Sequence, residues 1–166
     1  MRACAVLLSL ACTAAAAADC QPADAAVAAA LNALRAQPRH CGARLWPAAP
    51  ALRADAVLAA AAQRYAAELA RRDRIDHVGT AGASLRARLH EAGYVLRVAG
   101  ENLAGGPETL DEALAQWLAS PDHCENLMEA DFQDFGLACV TGPGRWQRYW
   151  VLQLAAPVRS SPGRSP

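Results

Sequence analysis

Three polar positions in otherwise apolar parts of the chain carry the residue types that zinc coordination and proton transfer require. They are His77, Glu101 and His123, two imidazoles and one carboxylate separated by long intervening segments. Imidazole and carboxylate groups are common zinc ligands, and both also act as general acids and bases. Taken singly, each has an ordinary explanation, such as a surface histidine or a glutamate in an ion pair. These three residues can act together in one site only if the fold brings their side chains close to one another.

Most common catalytic signatures are missing from the sequence. It has no nucleophile-elbow, zinc-protease, phosphate-loop or dinucleotide-binding motif, and no Cys-x-x-Cys pair. Its 16 basic residues balance its 16 acidic residues, so it lacks the positive field that nucleic-acid binding requires. A length of 166 residues fits a single domain. The composition therefore indicates one neutral domain that does not take nucleic acid as a partner.

Hydrophobic periodicity and capping residues predict the elements that must position these side chains. Helices are predicted over 25–37, 55–73, 84–92, 109–119 and 121–128. Strands are predicted over 95–103, 135–140 and 146–154, and a loop over 41–50. Asp24 stands where the cap of the first helix is expected, and Gly93 where the third helix ends. Because the strands cluster late and do not alternate with helices, we expect an α+β fold in which helices cover an antiparallel sheet.

The first residues have the composition of a secretory signal peptide. A positive start precedes an apolar run over 3–11, and small residues continue to Ala18. That run is too short for a transmembrane segment, which needs about 20 residues. Two alternatives stay open, a buried alanine-rich helix and lipid attachment at Cys12. The chain is thus expected to divide into a signal peptide over 1–18, one domain over 19–156 and a disordered tail over 157–166.

Four cysteines would remain after cleavage, at Cys20, Cys41, Cys124 and Cys139. Four cysteines in an oxidising compartment indicate two disulfides and support secretion to the periplasm or the extracellular space. Three pairings are open, as is a set of reduced thiols. We favour Cys20–Cys41, which would tie the amino terminus to the domain, and Cys124–Cys139, which would join a helix to the strand after it.

Five short motifs occur along the chain in a fixed order. They are His-Val-Gly from His77, Gly-Glu-Asn-Leu-Ala around Glu101, Gln-Trp-Leu around Trp117, Ser-Pro-x-His-Cys-x-Asn around His123 and Tyr-Trp-Val-Leu-Gln up to Gln153. In this order they resemble the CAP superfamily, the cysteine-rich secretory, antigen-5 and pathogenesis-related-1 proteins, and in particular its bacterial SCP-like extracellular branch. The resemblance extends over about residues 27–155. It implies a three-layer α-β-α sandwich with a central antiparallel sheet and a shallow cleft.

Two histidines and two glutamates line that cleft across the superfamily. The resemblance matches His77 and His123 to the histidines and Glu101 to one glutamate, and Ser120 stands where the second glutamate is expected. Asn102, next to Glu101, is assigned to the same cleft. Two further predictions come from the residues themselves. The amides of Asn102 and Asn126 would hydrogen-bond loop backbone, and strand alternation would turn Gln153, together with Tyr149, toward the cleft.

The three cleft residues have the composition of a catalytic zinc site, in which three protein ligands leave one position for water. Zinc held by His77, His123 and Glu101 would lower the pKa of that water towards about 7, which makes hydrolysis feasible. Glu101 would then be the third ligand or the general base. The alternative is structural, with Glu101 hydrogen-bonded to both histidines so that their loops are fixed to the sheet.

Two functions follow, and the residues alone do not decide whether the protein is an enzyme. The first is a secreted, monomeric binding module whose cleft takes a small apolar ligand, a lipid or sterol, or a cell-envelope component; the lipid comes only from the resemblance. The alternative is a zinc-assisted hydrolase of peptide or ester bonds. Because the site lacks one acid, the sequence favours the binding module.

Overall fold

Five α-helices and six β-strands make up the computed structural model, which describes residues 20–158. The helices are α1 (Asp24–Arg35), α2 (Ala56–Arg72), α3 (Leu85–Glu91), α4 (Leu110–Ala119) and α5 (Pro121–Met128). The strands are β1 (Arg39–Cys41), β2 (Arg44–Trp46), β3 (Arg53–Ala54), β4 (Leu96–Gly105), β5 (Asp134–Thr141) and β6 (Arg148–Pro157). The predictions for the signal peptide, for Cys12 and for the tail from residue 159 lie outside the described residues. Across 20–158, no helix combines the length and apolar character that a membrane span needs.

A four-stranded sheet in the order β3-β5-β6-β4 forms the middle of the domain. β6 is antiparallel to both β4 and β5, so the predicted antiparallel sheet is confirmed for the three long strands. The two-residue strand β3 was not predicted, and it runs parallel to β5. It is held by backbone hydrogen bonds of 2.9 Å from Arg53 to Gln133 and from Asp55 to Phe135.

Helices cover both faces of this sheet, which gives the α-β-α sandwich that the resemblance implies. Alternation along β6 supplies both interfaces, because Tyr149 and Val151 pack against α2 while Trp150 and Leu152 pack against α1, α4 and α5. All four of these side chains are fully buried. Burial of one large apolar side chain stabilises a fold by about 1.5–3 kcal/mol. β6 therefore contributes strongly to the stability of both helix–sheet interfaces.

The position of α2 depends on a close approach to β5 at Gly136. A Cβ atom at this residue would lie 2.2 Å from backbone atoms of Leu58 and Ala59 in the first turn of α2. The same turn is capped by Asp55, whose Oδ1 accepts hydrogen bonds of 2.9 Å from two backbone N–H groups. α2 is therefore fixed against the sheet at its start, and its later turns reach the candidate site.

Three local predictions are wrong. Asp24 is the first residue of α1 rather than its cap, and no side chain caps this helix. The segment predicted as a loop over 41–50 contains β2, which pairs with β1 in an antiparallel hairpin. β6 extends to Pro157, one residue into the predicted tail, because Leu96 on β4 provides its partner. Of these differences, only the extension of β6 depends on a strand distant in sequence, since β1 and β2 are joined by a short turn.

The favoured disulfide pairing is also wrong. The bonds join Cys20 to Cys139 and Cys41 to Cys124, with Cα–Cα distances of 5.6 and 5.4 Å. The amino-terminal segment lies along β5, where Gln21 Oε1 accepts a hydrogen bond from the Cys139 backbone N–H at 2.7 Å. The β1–β2 hairpin lies against α5, so Cys41 and Cys124 are buried together. The pairing is therefore set by which surfaces pack together and not by proximity along the chain.

Candidate functional site

Glu101 lies near the middle of β4 on the side of the sheet that faces α2. Its partner across the antiparallel ladder is Gln153 on β6. Only 2% of the Glu101 side chain is exposed. A carboxylate buried to this extent requires hydrogen bonds or a counter-charge, because its desolvation is otherwise very costly.

Both carboxylate oxygens of Glu101 are engaged by neighbouring side chains. Oε1 lies 3.1 Å from His77 Nδ1, and Oε2 accepts a hydrogen bond of 2.6 Å from Arg88 Nη2. The amide Nε2 of Gln153 lies 3.5 Å from Oε2. The structure thus joins two of the predicted cleft residues, His77 and Glu101, and adds Arg88, which belongs to none of the sequence motifs.

Arg88 reaches Glu101 from α3 and is itself held on several sides. Its Nη1 donates hydrogen bonds to the carbonyl oxygens of His77 at 2.9 Å and Ala83 at 3.0 Å. Its guanidinium lies over the ring of Tyr65 on α2, with Cζ 3.5 Å from the ring centroid. Only 10% of the Arg88 side chain is exposed. One guanidinium therefore joins α2, α3 and the loop between them to β4.

A sequence signal for Arg88 does exist. Leu85, Leu89 and Ala92 form the apolar stripe of α3 at three- and four-residue spacing, and Leu89 is fully buried. Arg88 lies three residues after Leu85 and four before Ala92, and so belongs to the same face. A charged residue inside such a stripe indicates a buried partner, although the sequence does not identify that partner as Glu101.

His77 lies at the solvent edge of this network, in the loop after α2. Its side chain is 58% exposed. The hydrogen bond to Glu101 raises the pKa of His77 above its usual value, although partial burial acts in the opposite direction. The loop is held because the Tyr65 hydroxyl donates to the backbone carbonyl of Asp76. His77 is thus tethered through both its ring and the preceding backbone.

His123 lies in the first turn of α5, in the other helical layer, and is half-buried. Burial lowers the pKa of His123, and the charge of His77 adds to this effect. A positive charge on His77 therefore disfavours a positive charge on His123. Of the two, only His77 is hydrogen-bonded to Glu101 within residues 20–158. The structural alternative, in which Glu101 bonds both histidines, thus holds for His77 alone.

Asn102 and Asn126 form a separate network on the opposite side of β4. Asn102 Nδ2 donates to the backbone carbonyl of His123 at 2.9 Å, and Asn126 Nδ2 donates to Asn102 Oδ1 at 2.9 Å. The prediction that these amides bond loop backbone is wrong, because the His123 carbonyl belongs to α5 and Asn126 reaches Asn102 and the Glu101 carbonyl on β4. Contrary to its assignment to the cleft, Asn102 is fully buried and faces α5, because alternation turns it away from Glu101.

Gln153 also departs from its expected place, whereas Ser120 contributes backbone hydrogen bonds where α4 meets α5. Gln153 shares the sheet face of Tyr149 and Glu101, as alternation predicted, but it is fully buried and open to no cleft. Its Oε1 has no hydrogen-bond partner in the described part of the chain. Ser120 links α4 to α5 through its backbone, with its N–H bonded to Trp117 and its carbonyl to Cys124. Ser120 therefore supplies a turn and no carboxylate.

The residues present do not fit the zinc site predicted from the chemistry of His77, Glu101 and His123. Within 20–158, no three or more His, Cys, Asp or Glu side chains are arranged to hold a metal ion. Both oxygens of Glu101 are already hydrogen-bonded, and a protein cation lies 2.6 Å from one of them. Zinc bonded to Oε2 would lie about 2 Å from it and would have to displace the Arg88 guanidinium.

An open groove of about 470 Å³ lies beside the Glu101 network, between α2 and the segment that leads into α3. Its charged and hydroxyl-bearing lining residues are Arg64, Tyr65, Glu68, Arg71, Thr80, Arg88 and Glu91. Burial raises the pKa of Glu68, but hydrogen bonds from Thr80 and Arg72 outweigh this effect and lower it. Tyr65 and Arg88 line the groove and also contact the Glu101 network, so the two sites are adjacent. The predicted cleft residues do not line this groove.

The sequence model of the Cysteine-rich secretory protein family, known as CAP, matches residues 28–154, which is most of the chain. The chain belongs to the CAP family. The resemblance to the CAP family inferred from the motifs around Glu101 and His123 is therefore confirmed.

Bacterial CAP proteins are among the relatives found by sequence and by structure. The uncharacterized protein YkwD of Bacillus subtilis is 24% identical over 100 residues, which cover 60% of this chain and 39% of that protein. An extracellular SCP-domain protein of Bacillus anthracis matches with a TM-score of 0.57 at 23% identity, over 64% of this chain and 34% of its own. The chain thus spans well under half of these longer relatives.

A relative of similar size is an outer surface protein of Borrelia burgdorferi. It matches with a TM-score of 0.67 at 20% identity, over 84% of this chain and 99% of its own. Venom allergen-like protein 4 of Schistosoma mansoni matches with a TM-score of 0.56 at 16% identity, over 82% and 89% of the two chains. At these identities the likeness establishes the CAP fold, and the function has to be argued from the site.

Proposed function

We propose that this CAP domain is an exported binding module whose ligand occupies the groove between α2 and α3. One observation carries the proposal: the carboxylate of Glu101 is fully committed to Arg88 and His77. The hydrogen-bonded network of Glu101, Arg88 and His77 therefore has a structural role and maintains the shape of the adjacent groove. A general base would instead need an oxygen within reach of a substrate, and the Glu101 side chain is only 2% exposed.

The zinc-assisted hydrolase is disfavoured by the same contacts. Glu101 is buried, its neighbouring arginine is a permanent cation, and His123 is not hydrogen-bonded to it. Loss of the arginine contact would leave a buried guanidinium without its counter-charge, which is strongly unfavourable. Of the two hypotheses from the sequence, the binding module is the one that these contacts support.

The lining of the groove favours a polar ligand over a sterol or a lipid chain. Arg64, Glu68 and Arg71 lie along one side of α2, and Glu91 faces them from α3. Charges of both signs would suit a ligand that carries both carboxylate and ammonium groups. Short cell-envelope peptides have this chemistry, and a volume of about 470 Å³ is in the range of small-ligand pockets.

Export is part of the proposal. Two disulfides within residues 20–158 are typical of proteins from oxidising compartments. Relatives described as extracellular and outer-surface proteins agree with this location. We therefore propose cleavage after Ala18 and secretion to the periplasm or the extracellular space, with the domain acting as a monomer.

Isothermal titration calorimetry with synthetic cell-wall stem peptides and with sterol-containing vesicles tests the ligand class. We expect the peptides to bind and a double variant, Arg64→Glu with Arg71→Glu, to weaken binding by at least about tenfold, since it reverses two lining charges. Arg86→Glu is the matched control, because Arg86 is exposed on α3 and does not line the groove.

Two results would overturn the proposal. The first is binding to sterol vesicles that the Arg64 and Arg71 changes leave unaltered. The second is turnover of peptide or ester substrates that requires added zinc and is abolished by Glu101→Gln. The first result would place the ligand site outside the groove. The second would show that the protein is a zinc-dependent hydrolase.

A further inference from the structure

The guanidinium of Arg88 is the positive group in direct contact with the buried Glu101 carboxylate. Its Nη2 is 2.6 Å from Glu101 Oε2, and the two side chains are 10% and 2% exposed. His77 Nδ1 takes the other oxygen at 3.1 Å. A buried carboxylate needs one positive partner, and in this chain the protein supplies it from α3.

We propose that Arg88 is the built-in cation of the Glu101 site and that it excludes divalent metal from this CAP domain. The inference relies on the same contacts as the proposed function, but metal titration tests it separately from ligand binding. It identifies one residue that determines whether the pair of His77 and Glu101 can act as metal ligands.

Three contacts keep the guanidinium in place. Its Nη1 is bonded to two backbone carbonyls, of His77 and Ala83, and its face lies on Tyr65. A metal ion would have to displace this planar group and leave it buried without its carboxylate.

The metal-ligating atoms would become free if the arginine were removed. Arg88→Met keeps an unbranched apolar side chain within the stripe of Leu85 and Leu89 while it releases Glu101 Oε2. His77 and Glu101 would then offer an imidazole and an unpaired carboxylate, a composition that suits zinc. Exclusion of metal is thus expected to depend on residue 88 and not on the fold.

The test is calorimetric titration of the full exported domain with zinc chloride. In the wild type we expect any zinc uptake to be unchanged by Glu101→Gln, and the NMR signals of the His77 ring to stay unmoved by zinc. In Arg88→Met we expect zinc affinity to rise at least about tenfold, and the gain to disappear in Arg88→Met with Glu101→Gln. Arg86→Met, on the exposed side of α3, should show no gain.

Two outcomes contradict the inference. One is a wild-type zinc affinity that Glu101→Gln or His77→Gln lowers tenfold or more. The other is a folded Arg88→Met protein that gains no zinc affinity. If Arg88→Met does not fold, the wild-type comparison with His77→Gln still decides, because the His77 side chain is 58% exposed and its replacement leaves the Arg88–Glu101 pair intact.

Discussion

The Arg88 guanidinium and the Glu101 carboxylate form a buried ion pair, 2.6 Å apart, between α3 and β4. Because removal of one member of such a pair strands the other charge, we expect Arg88→Met to cost about 3–5 kcal/mol of unfolding free energy. Urea denaturation monitored by circular dichroism measures this loss. Arg86→Met is the surface control and should change stability by less than about 0.5 kcal/mol.

A double-mutant cycle separates the pair from simple loss of packing. Arg88→Met with Glu101→Gln should cost less than the sum of the two single changes by roughly 1–3 kcal/mol, since neither charge is then stranded. Additive costs would show that the two side chains do not interact and would remove the basis of the metal-exclusion inference.

The stability contributed by His77 should depend on pH. Its pKa is raised in the folded state, mainly by the hydrogen bond to Glu101. The contribution is therefore fully present below the unfolded pKa of about 6.5 and is lost as pH rises through the higher folded value. Because the side chain is 58% exposed, solvent screening keeps it below about 1 kcal/mol.

Comparison of the wild type with His77→Gln at about pH 5.5 and about pH 8.5 measures this contribution. The difference in unfolding free energy should be larger at the acidic pH, and Glu101→Gln should abolish its pH dependence. His90→Gln, at an exposed position on α3, serves as the control. A difference of the same size at both pH values would contradict the assigned hydrogen bond.

The disulfides predict a defined peptide map. Proteolysis without reduction, followed by mass spectrometry, should yield peptides that link Cys20 to Cys139 and Cys41 to Cys124. Replacement of Cys41 and Cys124 by serine should lower stability by about 2–5 kcal/mol, because the bond closes a long loop. Recovery of peptides joining Cys20 to Cys41 would contradict the arrangement of the hairpin against α5.

Gly136 is expected to tolerate no larger side chain. In Gly136→Ala the new Cβ would lie 2.2 Å from the α2 backbone, so the helix must shift. We expect a loss of at least about 1–3 kcal/mol by thermal or urea unfolding. Gly142→Ala is a milder comparison, because its Cβ would meet Ala70 Cβ at 3.1 Å. Equal stability of the two variants would argue against the close packing of α2 on β5.

Much of the local structure could be predicted because it depends on neighbouring residues. The stripe of α2, the end of α3 at Gly93 and the alternation of β6 all follow from periodicity, and the structure bears them out. The motifs around Glu101 and His123 were specific enough to indicate the CAP family. Burial of Asn102 and Gln153 was missed, since alternation gives the face of a strand but not what covers it.

The sequence alone determined the five helices, the three long strands, the family and the candidate residues His77 and Glu101, because these depend on short spacings that a linear chain records directly. The tertiary structure decided which cysteines pair, that His123 is not bonded to Glu101, and that Arg88 is its partner. These outcomes depend on contacts between segments far apart in the chain. Such contacts are selected by the packing of whole helices and strands, and no local pattern specifies them.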